Sequence, residues 1–332
     1  MLINSTAWQI AGPTSFRLGS RSIFSRKPQH KGYGTNLQNR SPQESRIYKP
    51  RLGNVFLQAD QAGAEALCVA YLCRPGNFRS LFENKIKPHV FVAMHLFTEY
   101  WSKEHPAVQD IIKLDVPDIP SHPDWKKLES AIKKHDKNYA IGKMVCHASN
   151  YGMEAPAFQL NTLIRSEGKL CLSLSEADKF LGTYHRLFPE ITSWQREVKQ
   201  QLDTTRTIRN MFGYPRYFGG LIEDKTYKEA YAQNPQSTVG CITHIAYTAM
   251  QSFIEESGIE WNLLVNKHDS ILLENPEEDI PIAGRVLQAS LEQELTGRDG
   301  VKFNMRTELA CGRNWGKYSE KKNPDGMREI SL

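Results

Sequence analysis

Two aspartates each follow a short apolar segment that is typical of a β-strand. Asp60 follows residues 55–57, and Asp269 follows residues 261–265. If both strands belong to one sheet, the two carboxylates emerge at the same edge of it. Two carboxylates placed in this way can hold a pair of Mg²⁺ ions about 3.5–4 Å apart, the arrangement that drives in-line phosphoryl transfer. Taken singly, each aspartate is more often a residue that starts a turn or caps a helix.

A second group of residues repeats at four-residue steps. Tyr139, Lys143, His147 and Tyr151 follow one another at this spacing, which keeps side chains on one face of a helix. A lysine flanked by aromatic and imidazole rings could bind the phosphates of a nucleotide and stack on its base. Gly152 would let the helix end or bend directly afterwards. The plainer alternative is a mixed, solvent-exposed stripe on a surface helix.

A third set of polar residues lies near the start of the chain. It consists of Arg17 and the segment 34–39, which contains Asn36, Gln38 and Asn39. Neutral amides and an arginine suit the acceptors of a DNA minor groove and the phosphates beside it. An ordinary polar loop would have a similar composition, so this pattern alone does not indicate DNA binding.

The elements that must position these residues are of mixed type. Between residues 65 and 206, apolar residues recur at spacings of three and four, which predicts helices. The clearest predicted helical segments are residues 66–72, 90–97, 128–132, 177–187 and 191–202. Residues 106–124, with four prolines and several acidic residues, interrupt this pattern and are predicted to be a surface insertion.

After Gly213 the pattern predicts a helix over residues 237–256 and then a β-hairpin. Apolar residues 261–265 and 271–273 flank a polar tip at residues 266–269, which is a hairpin pattern. The first fifty residues are polar and irregular, which is typical of loop or disorder. Because strand patterns flank the helical part, the sequence predicts an α/β unit that is split in sequence by a helical insertion.

The bulk composition limits the function classes only weakly. The chain has 332 residues, a formal net charge of +5 and six cysteines. This charge permits nucleic-acid binding without requiring it. The cysteines form no CxxC pair or zinc-type cluster, the first residues do not form a secretory signal, and no apolar run approaches membrane-spanning length. We therefore expect a cytoplasmic protein.

The order of the motifs resembles that of family A (polymerase I-type) DNA polymerases, of the kind that bacteriophages encode. Six segments carry the resemblance: residues 15–20 with 34–39, residues 60–65 (motif A, D-x-S-x-x-E), residues 143–152 (motif B), residues 235–238 (P-x-Q-G-T), residues 267–270 (motif C, H-D-E) and residues 312–316 (G-x-N-W). The segments stand in the family's order and cover nearly the whole chain.

The resemblance implies an α+β fold, with an antiparallel palm sheet and an inserted helical fingers subdomain. The expected division is palm over residues 1–74, fingers over 75–206 and palm again over 207–332. Only sixteen residues precede Arg17, so the family's thumb and exonuclease domains are expected to be absent. A second chain carrying the thumb, and with it the exonuclease, is a possible partner.

The resemblance also implies the reaction and the site. The chain is expected to add dNTPs to the primer 3′-hydroxyl on primer-template DNA during replication, with two Mg²⁺ ions. The implied metal ligands are Asp60, Asp269 and the backbone carbonyl of Gln61, and Lys143 joins the aspartates as a catalytic residue. The implied nucleotide-binding residues are Gln61, Glu65, His89, Tyr139, Lys143, His147 and Tyr151. The implied DNA-binding residues are Arg17, Asn36, Gln38, Asn39, Lys228, Gln236 and His268.

Four positions depart from the family pattern. Tyr139 stands where the family has an arginine that holds the γ-phosphate, and His147 stands where it has Phe or Tyr. Ser270 replaces the glutamate of motif C, and Lys228 replaces an arginine and so loses the planar fork. The lysines that could supply the missing charge at position 139 are Lys133, Lys134 and Lys137.

Two other functions remain open from the sequence. A single-subunit RNA polymerase also has H-D-S in motif C, but it carries a glycine where this chain has Glu65, and it lacks the N-L-Q-N segment. A non-catalytic DNA-binding subunit of a split polymerase would explain Tyr139, but the presence of Asp60, Lys143 and Asp269 argues against it. Primer extension with dNTPs and rNTPs separates these alternatives.

Overall fold

The computed structural model describes residues 7–9, 19–21 and 44–332. The α-helices in these residues are α1 (Ala64–Leu72), α2 (Asn77–Glu83), α3 (Pro88–Leu96), α4 (Thr98–Glu104), α5 (Val108–Ile111), α6 (Trp125–Lys134), α7 (Asp136–Asn150), α8 (Ala155–Arg165), α9 (Leu174–Leu187), α10 (Pro189–Thr205), α11 (Asp224–Ser257) and α12 (Ile280–Leu291). Short 3-10 helices cover Glu44–Ile47, Val116–Ser121 and Glu277–Asp279. None of the helices in this part of the chain is long and apolar enough to cross a membrane.

The strands in the same residues are β1 (Ala7–Gln9), β2 (Gly19–Arg21), β3 (Asn54–Gln61), β4 (Thr207–Arg209), β5 (Pro215–Tyr217), β6 (Asn262–Lys267), β7 (Ser270–Pro276), β8 (Glu294–Thr296), β9 (Lys302–Asn304), β10 (Thr307–Gly312) and β11 (Arg328–Ile330). The main sheet has the order β11-β10-β3-β7-β6, and every pair in it is antiparallel. Its central strand β3 precedes helices α1 to α10, and its other strands follow them. The predicted α+β fold, with an antiparallel sheet split by inserted helices, is confirmed.

The main sheet buries side chains on both of its faces. Leu57 and Ala59 of β3 belong to the large core that the sheet shares with the helices. Phe56 and Leu272 instead pack with Trp315 in a smaller cluster. Successive residues of a strand point to opposite faces, so these two clusters lie on opposite sides of the sheet. The alternation therefore assigns Asp60 to the same face as Phe56 and Gln61 to the face of the large core.

Residues 106–124 are not a surface insertion, so this prediction was wrong. Helix α5 and the following 3-10 helix bury Val108, Ile111, Val116 and Ile119, each of which is at most 3% exposed. In both elements the buried residues are three positions apart, which places them on one side of a short helix. The prolines lie beside these residues and leave their burial intact, although they obscure the helical pattern in the sequence.

Helix α11 begins at Asp224, well before Ser237, where the sequence pattern predicted its start. Pro235 lies inside it, although a proline in a helix interior costs roughly 3 kcal/mol or more. The turns before Pro235 are held by tertiary packing, because Ala230 and Tyr231 are buried in the large core. Packing of this kind overrides the local signal that a proline gives.

Candidate active site

Asp60 lies in the middle of a row of side chains that runs across the main sheet. It pairs with Glu308 of β10 on one side and with Ser270 of β7 on the other. Directly opposite residues in antiparallel strands have Cβ atoms about 4.5–5.5 Å apart on the same face. Asp269 adjoins this row, since its carbonyl accepts a hydrogen bond from the Gln61 N–H at 2.9 Å. The structure therefore brings the two predicted aspartates together at one sheet edge.

The surroundings of Asp60 disfavour its ionised form. Burial, followed by the charges of Asp269 and Glu308, raises the pKa of Asp60 to about 7, although Lys267 and a hydrogen bond from Ser270 oppose the rise. A buried carboxylate beside like charges is destabilised in its ionised form. The same concentration of negative charge would attract a cation to this place.

A buried hydrogen-bond network supports the tip of the β6–β7 hairpin. The tip consists of His268 and Asp269, and His268 has the left-handed backbone angle φ of 57°, which is costly for a residue other than glycine. The hydroxyl of Thr243 in α11 lies 2.9 Å from the His268 carbonyl and 3.0 Å from the Val239 carbonyl of its own helix, and these two acceptors share its one proton. It also accepts a hydrogen bond from Gln61 Nε2 at 2.8 Å. Thr243 thus connects β3, α11 and the residue that precedes Asp269.

The Gln61 side chain does not reach the sheet face that carries Asp60. It is 1% exposed and bonds to Thr243 on the side of the large core. Of the roles predicted for Gln61, those that need its backbone carbonyl remain compatible with this position. Within residues 44–332 and the two short strands before them, no group of three or more His, Cys, Asp or Glu side chains is arranged to hold a metal. The backbone carbonyl of Gln61 stays a predicted ligand.

The predicted helix face is present on α7. Lys143 and His147 are exposed, and Tyr139 is half-buried. Tyr151 directly follows the helix as its C-cap, and its ring centroid lies 5.1 Å from that of His147. The four-residue spacing was therefore a correct indication of one helical face. Its two polar side chains are open to solvent, as contacts with an incoming ligand require.

Glu65 connects the palm to this face. It lies in the first turn of α1, directly after strand β3. The Tyr151 hydroxyl donates a hydrogen bond to the Glu65 carboxylate. Two residues that the sequence separates widely, and that were both predicted to bind the nucleotide, are therefore in direct contact.

His89 of α3 packs against the start of the α7 face. Its ring centroid lies 6.0 Å from that of Tyr139. The helices approach each other closely here, because a Cβ added at Gly142 would be 2.6 Å from the His89 carbonyl oxygen. Burial, assisted by the charges of Lys143, Lys87 and His147, lowers the pKa of His89 to about 4. His89 is therefore a neutral hydrogen-bonding group at pH 7.

The predicted DNA-binding residues fall into two sets. Arg17, Asn36, Gln38 and Asn39 lie outside the described residues. Lys228 and Gln236 lie on α11, and His268 lies at the hairpin tip. Lys228 forms ion pairs with Asp224 and, at 3.7 Å, with Glu154, and its side chain is 31% exposed. It also flanks the end of α7, since its Cγ would be 3.9 Å from a Cβ added at Gly152.

Sequence reasoning missed three residues at this site. Glu308 lies opposite Asp60 on the neighbouring strand β10, and Thr243 supports the hairpin tip. Lys87 acts electrostatically on both His89 and Tyr139. None of the three belongs to a recognisable motif. The strand register places Glu308 opposite Asp60. The hydrogen bonds with Gln61 and the His268 carbonyl identify Thr243.

The comparisons with known proteins agree with this geometry. The sequence profile described as DNA polymerase family A matches residues 125–317, which is more than half of the chain. The chain belongs to DNA polymerase family A. The matched region includes α7, α11 and the β6–β7 hairpin, and it ends just after Trp315.

Individual family A relatives are distant in sequence. DNA polymerase I of Treponema pallidum (strain Nichols) is 22% identical over 295 residues, which are 85% of this chain and 25% of the relative. A DNA polymerase of Bacillus phage SP01 is 25% identical over 167 residues, which are 47% of this chain and 18% of the relative. The chain therefore spans about a quarter or less of the length of these relatives.

A solved structure shows the same fold. It is described as the POL domain of Pol1 from M. smegmatis in complex with DNA primer-template and dNTP. The two structures superpose with a TM-score of 0.62 at 17% identity, covering 94% of this chain and 48% of that chain. At this identity the likeness supports the fold alone.

Proposed function

We propose that the chain is a template-directed DNA polymerase that adds dNTPs to a primer 3′-hydroxyl. The observation that carries this proposal is the placement of Asp60 and Asp269 side by side at the edge of the main sheet in a family A polymerase fold. The chemistry is in-line displacement at the α-phosphorus of the dNTP. The bond to the primer oxygen forms, the bond to the bridging oxygen breaks, and pyrophosphate leaves while the 3′-hydroxyl loses its proton.

The site fits divalent metal ions, and Mg²⁺ is the one we propose. Asp60 and Asp269 supply carboxylate oxygens and Gln61 a backbone carbonyl, which are the hard oxygen ligands that Mg²⁺ takes in proteins. Burial, followed by the charges of Asp269 and Glu308, raises the pKa of Asp60 to about 7, so a bound cation would stabilise its ionised form. When bound, two Mg²⁺ ions would activate the 3′-hydroxyl and neutralise the leaving pyrophosphate.

The remaining predicted roles concern nucleotide and DNA. Lys143 would bind the triphosphate and donate a proton to the leaving pyrophosphate. Glu65, held by its hydrogen bond from Tyr151, would occupy the space that a ribose 2′-hydroxyl needs. His89 and His147 would flank the nucleotide, and Tyr151 would lie beside the templating base pair. Lys228, Gln236 and His268, together with Arg17, Asn36, Gln38 and Asn39, would contact the primer-template.

Primer extension tests this proposal. The chain is incubated with a labelled primer-template, Mg²⁺ and either dNTPs or rNTPs. Template-dependent extension with dNTPs that EDTA abolishes is the expected result. Preferential use of rNTPs would indicate an RNA polymerase instead. DNA binding without any extension would indicate a non-catalytic subunit.

Several finer expectations stay predictions. The division into palm (1–74), fingers (75–206) and palm (207–332) follows the order in which the sheet strands and the helices occur. A bacteriophage source agrees with the relative from Bacillus phage SP01, and a role in replication agrees with the family. A second chain that carries a thumb and an exonuclease stays a prediction for binding studies with primer-template DNA.

A further inference from the structure

The triphosphate of an incoming dNTP requires several cationic partners. Charge-assisted hydrogen bonds from Lys or Arg are the usual means of binding phosphates in proteins. On α7, Lys143 supplies one such charge, but the face begins with Tyr139, which cannot supply a second. A site of this kind therefore calls for another cation near the start of α7.

Lys87 lies next to this position, at the N-cap of α3. Helix α3 packs tightly against α7, as the 2.6 Å separation between a Cβ at Gly142 and the His89 carbonyl oxygen shows. The His89 and Tyr139 rings are in edge contact at 6.0 Å. Because Lys87 precedes His89 by two residues, its backbone lies close to the Tyr139 end of the face.

The Lys87 side chain reaches Glu308, a neighbour of Asp60 in the main sheet. Its Nζ lies 3.6 Å from Glu308 Oε1, and the two side chains are 51% and 50% exposed. Glu308 is the residue directly opposite Asp60. The opposite charges of Lys87 and Glu308 both act on the Tyr139 hydroxyl. The ammonium group therefore lies in the gap between the start of α7 and Asp60.

The ion pair between Lys87 and Glu308 can be replaced by a contact between Lys87 and a phosphate group. A half-exposed pair contributes little to stability, because solvent screens both charges. A triphosphate offers the same ammonium group several anionic oxygens at once. Lys87 can therefore leave Glu308 for phosphate at small cost, without any change in the helices.

We infer that Lys87 is a triphosphate-binding residue, which takes the place of the arginine that is missing at position 139, and that Glu308 holds it while no nucleotide is bound. This inference rests on the proposed polymerase function. Two of the three lysines suggested by the sequence are engaged elsewhere: Lys133 is paired with Glu129 at 2.6 Å, and Lys137 acts on Glu176 at the start of α9.

The test measures nucleotide binding apart from chemistry. The protein is bound to a primer-template whose primer ends in a dideoxynucleotide, so that no bond can form, and the dissociation constant of the matched dNTP is determined. Lys87→Gln should weaken dNTP binding by about tenfold or more, the effect of losing one charge-assisted hydrogen bond. It should weaken inhibition of extension by inorganic pyrophosphate by a similar factor. An unchanged dissociation constant for the dNTP would overturn the inference.

Two further variants make the test specific. Lys113→Ala removes an exposed lysine that pairs with Asp110 in the same helical part, and it should leave dNTP binding unchanged. Tyr139→Arg, added to Lys87→Gln, should restore most of the lost affinity if positions 87 and 139 serve one phosphate subsite. Failure of this rescue would show that Lys87 acts elsewhere.

The outcome also separates this inference from the proposed function. If the wild-type chain binds the dNTP but extends no ordinary primer, the polymerase proposal fails while the binding measurements still decide the role of Lys87. If the chain extends primers and Lys87→Gln binds dNTP normally, the inference fails by itself.

Discussion

The sheet edge with Asp60 and Asp269 and the exposed face of α7 are held in place by different means. The two aspartates are fixed by the backbone ladder of β3 and β7 and by the buried contacts of Gln61 with Thr243. The α7 face depends instead on exposed side chains such as Lys143, which the helix presents to solvent.

This difference bears on which residues can be replaced. On α7, Tyr139 and His147 stand where the family has other residues. At the sheet, Ser270 replaces the motif C glutamate, whereas Asp60 and Asp269 are retained. The exposed His147 can change without repacking its surroundings, and the half-buried Tyr139 packs against His89. Under the proposed mechanism, two carboxylates that share metal ions have no comparable alternative position.

The largest expected effect comes from either aspartate of the sheet edge. Asp60→Asn or Asp269→Asn should lower the rate of primer extension roughly a thousandfold or more, because in-line transfer needs both carboxylates. Asp60→Asn should not lower the free energy of unfolding, since it removes a charge that burial and Asp269 destabilise. Extension assays and thermal unfolding check the two effects, with exposed Asp110→Asn as the control. Retention of more than about a tenth of wild-type extension by either variant would refute the assignment.

Loss of Lys143 should have the next largest effect. Lys143→Ala should raise the KM for dNTP and lower kcat together, with kcat/KM falling about a hundredfold, because the charge acts in both the ground state and the transition state. Steady-state kinetics with a single dNTP measure both parameters. Lys169→Ala removes an exposed lysine beyond α8 that pairs with Glu167, and it should match wild type. Normal kinetics for Lys143→Ala would remove α7 from the active site.

Sugar selection should change more modestly. Glu65→Ala should increase ribonucleotide incorporation relative to deoxynucleotide incorporation at least tenfold, which is about 1.4 kcal/mol. Tyr151→Phe should produce a smaller increase of the same sign, because it removes the hydrogen bond that holds Glu65 in place. Competition between a dNTP and its matching rNTP gives both ratios. An unchanged ratio for Glu65→Ala would indicate that a different residue excludes the ribose 2′-hydroxyl.

The smallest effect is expected from the support of the hairpin tip. Thr243→Val should lower kcat roughly three- to tenfold with little change in the KM for dNTP, because the His268 carbonyl loses its donor and Asp269 is less well positioned. Thr243→Ser should restore kcat. Thr162→Val is a matched control, because the buried Thr162 hydroxyl has no hydrogen-bond partner in the described part of the chain. If Thr243→Val and Thr162→Val have equal kcat, the network does not position Asp269.

The amino-acid sequence by itself determined the local parts of this site. Spacing of four residues identified the α7 face from Tyr139 to Tyr151, because helical neighbours are encoded by nearby positions. Two apolar runs around a polar tip identified the β6–β7 hairpin that presents Asp269. The ordered motifs gave the family, which the profile over residues 125–317 confirmed.

The tertiary structure decided what depends on contacts between distant segments. The burial of Val108, Ile111, Val116 and Ile119 and the early start of α11 followed from packing that neither proline pattern revealed. The same holds for the placement of Glu308 opposite Asp60 and of Lys87 beside Glu308. Strand register and helix packing are set by the whole core, so a residue such as Lys87 acquires its neighbours, and with them its proposed role, when the chain is folded.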